Sequence, residues 1–400
     1  MMSIHIIERL SRIWFTLGML AVGLTIVATA IVLNHPDFGG DSREVDFVSI
    51  WAAAKLALAG DATSAYDSAT LRQEMGDIVD FGGGYLLWLY PAGFHLIISP
   101  LGVLPFSVAY ALVMVAGLFC LDRSHRHLSG ALPGNLNLLL AAPVTLYTTL
   151  TGQPAIFFAS AFAAGLGSLA RNDQRGAGLW LGLLAMKPSL VPVVFVALAV
   201  GRRWQAIFWA AASSITLGIV ATLVFGVEHW HAFFESLETL ATAVIQNEKP
   251  TERMISSYAF LRTVGLEHQT AFLLYWWITA FILISVAMAF GRNRSTQLAT
   301  KLALLGFAIP LITPYSQYYE LMFAMTGLFF LARGDHGLRT SGRILAVALW
   351  LVPIPGLAFY QATPLAIMAP PLLLAAVSIC LFRILRHAHG GPQGETNLVR

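Results

Sequence analysis

The chain has 400 residues, 57% of them apolar and only 11% charged, with a mean hydropathy of +0.70. A soluble domain carries roughly 25% charged residues, so these values exclude one and indicate a polytopic integral membrane protein. The two cysteines, Cys120 and Cys380, exclude a disulfide framework and a cysteine metal site. The formal net charge of +3 says less than the placement of the charges.

Apolar runs of about the length needed to cross a roughly 30 Å hydrocarbon core predict twelve membrane segments. They fall at 12–33, 94–119, 136–151, 154–170, 176–187, 189–200, 204–226, 270–290, 297–313, 318–332, 343–360 and 365–385. The first is too long for a signal-peptide core and no A-x-A-like site follows it, so it is expected to remain as a span. Twelve crossings put both termini on one side. Most of the 24 Lys and Arg residues fall on that side, which the positive-inside rule makes the cytoplasm. Most of the 21 Asp and Glu residues fall on the other side. Acids carry little orientation signal, so their clustering outside points to function. The expected organisation is one integral membrane domain, 1–390, with outer loops 34–93 and 227–269 and a disordered cytoplasmic tail, 391–400.

Directly after the first span comes an acidic turn holding Asp37, Asp41, Glu44 and Asp46. A stretch read as amphipathic, Phe47 to Leu58, follows and is expected to lie along the membrane surface. Gly60 to Asp67 ends that helix and caps another, and Asp80 to Tyr85 reads as a flexible turn. Trp88 to His95 re-enters the membrane with aromatics at the interface level. The second outer loop, beginning E-H-W-H at Glu228, reads as an interfacial helix.

Two pairs of segments are short. The run 136–170 is interrupted by T-G-Q-P, Thr151 to Pro154, and the run 176–200 by M-K-P-S, Met186 to Ser189. Broken helices at membrane depth need protein or a wet cavity to satisfy their backbone. Both breaks are expected on the outer face, alongside the acidic turn.

Each candidate residue has a functional and a structural reading. Asp46, with Glu44 and Asp41 as alternatives, suits a base that deprotonates a substrate hydroxyl at the lipid surface; equally, Asp46 opens a helix and is placed to cap it. Lys187 suits a phosphate in an outer cavity, or snorkels to the interface. Gln153 suits a sugar hydroxyl, or satisfies the broken backbone. Arg262 offers a planar fork for phosphate beside Ser257 and Tyr258, or is a positive residue at a span end. Tyr315, Gln317, Tyr318 and Glu320 form an aromatic and polar turn that suits a sugar or a headgroup; the interfacial aromatic belt alone accounts for the tyrosines, whereas Glu320 begins a span and is harder to dismiss. No nucleotide or zinc motif is present, and the histidines do not fall at ligand spacing. No cofactor is expected; a divalent metal near Asp41, Glu44 and Asp46 stays open as an alternative, though nothing in their spacing demands one.

Taken in order, these segments resemble glycosyltransferase family 87. The residues carrying the resemblance are D-F-V-S-I-W-A-A-A-K-L-A-L-A-G-D from Asp46, L-Y-P-A-G-F from Leu89, G-Q-P at Gly152, R-G-A-G-L-W-L-G-L-L-A-M-K-P from Arg175, G-R-R-W at Gly201 and T-P-Y-S-Q-Y-Y at Thr313. Many members carry Asn or Gln ahead of the serine at Ser257, and Trp and His in the last motif, where this chain differs. The resemblance implies an all-α, many-helix membrane fold of the GT-C type with its site on the outer face of a bacterial inner membrane. It implies a polyprenyl-phosphate-linked sugar, mannose foremost, as donor, and a glycan or glycolipid hydroxyl as acceptor. It also places the base on Asp46 and substrate contacts on Gln153 and Lys187. Nucleic acid is not an expected partner. Two other classes stand beside this one: a lipid-linked sugar transporter or flippase, since broken helices around a cavity are a transporter device, and a surface-polysaccharide polymerase or ligase.

Overall fold

The computed structural model describes residues 46–78, 87–129, 139–140, 142–245, 254–291, 298–331, 340–354 and 365–387. The first expected span, Asp41, Glu44, the glycine turn at 80–85 and the tail 391–400 lie outside the described residues. Regular structure among the described residues is helical; its one extended pairing is an isolated bridge between Met254 and Gln317.

In chain order the α-helices are α1 (Phe47–Leu58), α2 (Ser68–Met75), α3 (Ala92–Ile98), α4 (Phe106–Ser129), α5 (Pro143–Thr151), α6 (Ala155–Ala170), α7 (Gln174–Gly182) and α8 (Val191–Val200). They continue with α9 (Trp204–Phe225), α10 (Glu228–Ile245), α11 (Ser257–Thr263), α12 (His268–Gly291), α13 (Leu298–Ala308), α14 (Leu321–Leu331), α15 (Thr340–Leu351) and α16 (Leu365–His387). Four of them, α4, α9, α12 and α16, are long and apolar enough to cross a membrane. On α9 the apolar side chains point outward, with Leu223 80% and Phe208 64% exposed, as suits a helix facing lipid rather than water. The other apolar helices are shorter, 10–17 residues each.

Small residues set the closest packing. Gly178 and Gly182 on α7 lie so near Ala206 and Ala210 of α9 that a Cβ would strike their backbone, as would one on Gly306 of α13 against Phe323 of α14. Between apolar helices in lipid, van der Waals contact is the available attraction, and small residues maximise it.

Two expectations are corrected. The segment expected at 94–119 is not one helix: α3 ends at Ile98, a 3-10 turn runs Ser99–Val103, and the span proper begins at Phe106. Proline is the cause. Leu104 precedes Pro105 and is extended (φ −91°, ψ 147°), and its carbonyl accepts from Trp51 Nε1 at 2.9 Å. The second correction concerns α1. It is not amphipathic with one face exposed, because eight of its twelve residues are buried, on more than one side of the helix. Its small A-A-A run admits α2 and the 99–103 turn closely enough that Gly102 abuts the Ala54 backbone.

Candidate active site

The first break is built by glycine. Gly152 adopts the left-handed conformation (φ 70°, ψ 29°) at the end of α5. Its N–H bonds the Thr149 carbonyl, and the Gln153 N–H bonds the Thr148 carbonyl at 3.0 Å, the double bond of a Schellman stop. The Tyr110 hydroxyl bonds the Thr149 carbonyl at 2.7 Å. The freed carbonyls at this break are therefore held inside protein. A Cβ on Gly152 would collide with Phe47, so the glycine is what lets the break sit on the first turn of α1. That contact places Gln153 beside Asp46.

Asp46 occupies the cap position of α1, yet its side chain makes no capping bond; Ser49 Oγ instead donates to its main-chain carbonyl at 2.7 Å. The carboxylate turns to the break. Gln153 Nε2 donates to Oδ2. The Tyr318 hydroxyl lies 3.3 Å from the same oxygen and 3.1 Å from Thr151 Oγ1, sharing one proton between them. Gln153 Oε1 is buried with no hydrogen-bond partner, an open acceptor next to the carboxylate.

The second break is centred on Lys187. The chain passes from α7 through a 3-10 turn (Leu183–Met186) to Lys187, which leaves the helical region (φ −133°, ψ 85°) as proline disfavours helical backbone in the residue before it, and then through a second turn (Pro188–Leu190) into α8. Lys187 Nζ pairs with Glu320 Oε1 and lies 4.5 Å from the centre of the Tyr319 ring. Glu320 is 2% exposed. Its other oxygen accepts from the Gln317 N–H at 3.1 Å and from Ser316 Oγ, a capping box that starts the 3-10 turn Tyr318–Glu320.

That single turn joins the two breaks, since Tyr318 reaches Asp46 and Glu320 holds Lys187. The Tyr90 hydroxyl feels both acids: burial first, then the charges of Asp46 and Glu320, push its pKa above the ordinary value. Burial and then Glu320 do the same to Tyr315. The Thr313 hydroxyl, 3.4 Å from the Ser189 carbonyl, ties the start of the turn to the second break.

Asp46, Gln153, Lys187, Gln317, Tyr318 and Glu320 thus stand together, with Tyr315 at the edge. Ser257, Tyr258 and Arg262 are engaged elsewhere. Ser257 Oγ bonds the Leu311 carbonyl at 3.2 Å, the Tyr258 hydroxyl bonds His268 at 2.9 Å, and Arg262 Nη1 bonds the Leu266 carbonyl at 2.9 Å. Ser257 and Ser256, whose hydroxyl bonds the Pro314 carbonyl, tie the start of α11 to the segment that leads into the turn. Tyr90, Thr151 and Tyr319 were not singled out as site residues from sequence. Their signal was membership in the quoted motifs: Tyr90 lies in L-Y-P-A-G-F, Thr151 opens T-G-Q-P and Tyr319 ends T-P-Y-S-Q-Y-Y.

Beside the second break lies a cavity of about 640 Å³. Pro91 and Gly93 form one wall, Met186 and Pro188 another, α9 from Ser214 to Leu223 a third, and Trp230, Phe233 and Phe234 of α10 the fourth. The lining is almost wholly apolar. Among the described residues no group of three or more His, Cys, Asp and Glu side chains is placed to hold a metal ion.

The family model described as glycosyltransferase family 87 matches residues 88–314, more than half of the chain. The match includes Gln153, Lys187 and Arg262, and stops short of Asp46 on one side and of Tyr318–Glu320 on the other. No curated protein and no solved structure matches the chain.

Proposed function

The chain belongs to glycosyltransferase family 87, and from that premise we propose that it transfers a sugar, mannose foremost, from a polyprenyl-phosphate donor to an acceptor hydroxyl, with Asp46 as general base and inversion at the anomeric carbon. One observation carries this reading. A carboxylate at a helix start forgoes its cap and is held by an amide and a phenol, a single 3-10 turn away from a lysine whose chain neighbours, Met186 and Pro188, line an apolar cavity.

The geometry supports the following chemistry. The acceptor O–H gives its proton to Asp46 as its oxygen attacks the anomeric carbon. The bond from that carbon to the phosphate oxygen breaks, and polyprenyl phosphate leaves as a stable anion. Lys187 offsets the charge that develops on the departing phosphate, and Tyr319 and Glu320 keep the ammonium aimed. Gln153 orients the base and offers its free Oε1 to a substrate hydroxyl. Tyr315, Gln317 and Tyr318 line the sugar side. Ser256 and Ser257 support the turn that carries them. The lipid tail lies in the cavity beside Met186 and Pro188, where apolar walls suit hydrocarbon and nothing suits a nucleotide. The family membership favours this over a transporter. The glycan or glycolipid acceptor then approaches Asp46 from outside the bacterial inner membrane, with both termini in the cytoplasm.

The test is sugar transfer by the purified protein in lipid, from a panel of polyprenyl-phosphate sugars, with Asp46→Asn alongside. Turnover that the variant loses while it still binds donor supports the reading. Full turnover by Asp46→Asn would remove Asp46 as base, and no turnover from any donor by the unaltered protein would remove the donor class.

A further inference from the structure

Two histidines set aside for their sequence spacing meet in the fold. His95 on α3 and His229 on α10 are both fully buried, with His229 Nε2 2.8 Å from His95 Nδ1. The Tyr66 hydroxyl lies 3.3 Å from the same His229 nitrogen and donates to the Tyr90 carbonyl at 2.6 Å. Phe225 stacks on the His229 ring, and Trp88 packs on that of His95. The outer nitrogens, His95 Nε2 and His229 Nδ1, are buried without partners. An apolar pair would cost less than two half-satisfied imidazoles. What the imidazoles add is direction: a hydrogen bond of fixed geometry holds one rotation of α10 against α3.

That rotation shapes the apolar cavity. Trp230, Phe233 and Phe234, which follow His229 on α10, form one wall, and Pro91 and Gly93, just before His95, form another. Trp230 Nε1 bonds the Thr222 hydroxyl on α9 at 2.8 Å, closing the corner. None of these groups touches Asp46 or Lys187 in the described contacts, so their work is separate from the transfer step.

We infer that the His95–His229 pair, steadied by Tyr66, is a positioning latch that seats α10 as the wall of the cavity and so sets how well the protein holds a long donor lipid. This rests on the reading that the donor is a polyprenyl phosphate sugar. A short lipid, filling only the space beside Lys187, does not need the α10 wall; a long one does.

The experiment compares KM and kcat for farnesyl-phosphate mannose and undecaprenyl-phosphate mannose in wild type, His229→Leu, His229→Gln and Tyr66→Phe. His229→Leu is expected to raise KM for the long donor about fivefold to tenfold, the scale of one lost buried hydrogen bond, with its kcat and the short donor's KM unchanged. His229→Gln, whose amide can reach His95 Nδ1, is expected to restore the long-donor KM. Tyr66→Phe gives a smaller rise of the same kind and keeps the test open should His229→Leu fail to fold. Equal changes for both donors, or none in a folded variant, overturn the latch alone. Wild type inactive with both donors and with the rest of the sugar panel overturns the donor reading, and the latch with it.

Discussion

The two helix breaks solve the same problem differently. At Gly152 a left-handed residue and a Schellman pair close the backbone within the chain, and the side chain left over, Gln153, is neutral and fixed on Asp46. At Lys187 two 3-10 turns relax the helix, no residue needs a positive φ, and the side chain left over is a cation held by a buried acid from another part of the chain. The first break depends on local conformation and the second on a distant charge. The first is therefore sensitive to backbone substitutions and the second to changes of charge.

The comparison is broken most severely at the residue the first break serves. Asp46→Asn keeps an oxygen acceptor for Gln153 yet removes the base, and transfer is expected to fall about 10²- to 10⁴-fold in initial-rate measurements, with donor binding kept. At the second break, Lys187→Met leaves Glu320 buried and unpaired and is expected to cost about 3 kcal/mol of stability as well as raising KM. Pairing it with Glu320→Gln should return most of the stability, read from thermal unfolding, while KM stays high. Recovery of both would mean Lys187 serves the fold alone.

Gly152→Ala sharpens the contrast. It forces a left-handed alanine, about 1–2 kcal/mol, and adds a clash with Phe47, so both melting temperature and kcat should fall. Lys187→Ala, with no such backbone demand, should spare the local helical structure by circular dichroism. Tyr318→Phe is milder, an expected loss of about threefold to tenfold in kcat from one hydrogen bond to the carboxylate.

The smallest effect concerns pH. Burial pushes the His229 pKa down to about 4, against 6.5 for a free histidine. Between those values the unfolded chain binds the proton that the folded chain refuses. Stability is therefore flat above pH 6.5 and declines as pH falls from there towards 4. The titrating groups facing His229 are His95 and Tyr66. His229→Gln should reduce that part of the slope of melting temperature against pH without abolishing it; an unchanged slope would assign it to other groups.

Several parts were legible in the sequence because they are local. Hydropathy alone establishes a membrane protein. Gly and Pro mark both breaks, since a left-handed turn and a missing N–H are properties of those residues wherever they sit. The ordered motifs indicated the family. The extent of the second segment was misjudged because hydropathy does not register that Pro105 stops a helix in an apolar run. The burial of α1 was missed because an Ala-rich stretch reads the same whether it meets lipid headgroups or another helix.

What only the tertiary structure decided are the pairings across long separations: Asp46 with Gln153 and Tyr318, Lys187 with Glu320, and His95 with His229. Composition and periodicity describe which face of a helix is apolar; they do not say which helix that face meets. Asp46 read equally well as a cap and as a base, and it is the approach of the Gly152 break to Phe47 that draws its carboxylate away from its own helix. The residues and their chemistry were fixed by the sequence, whereas their partners were set by close packing between helices, which depends on every neighbouring side chain at once.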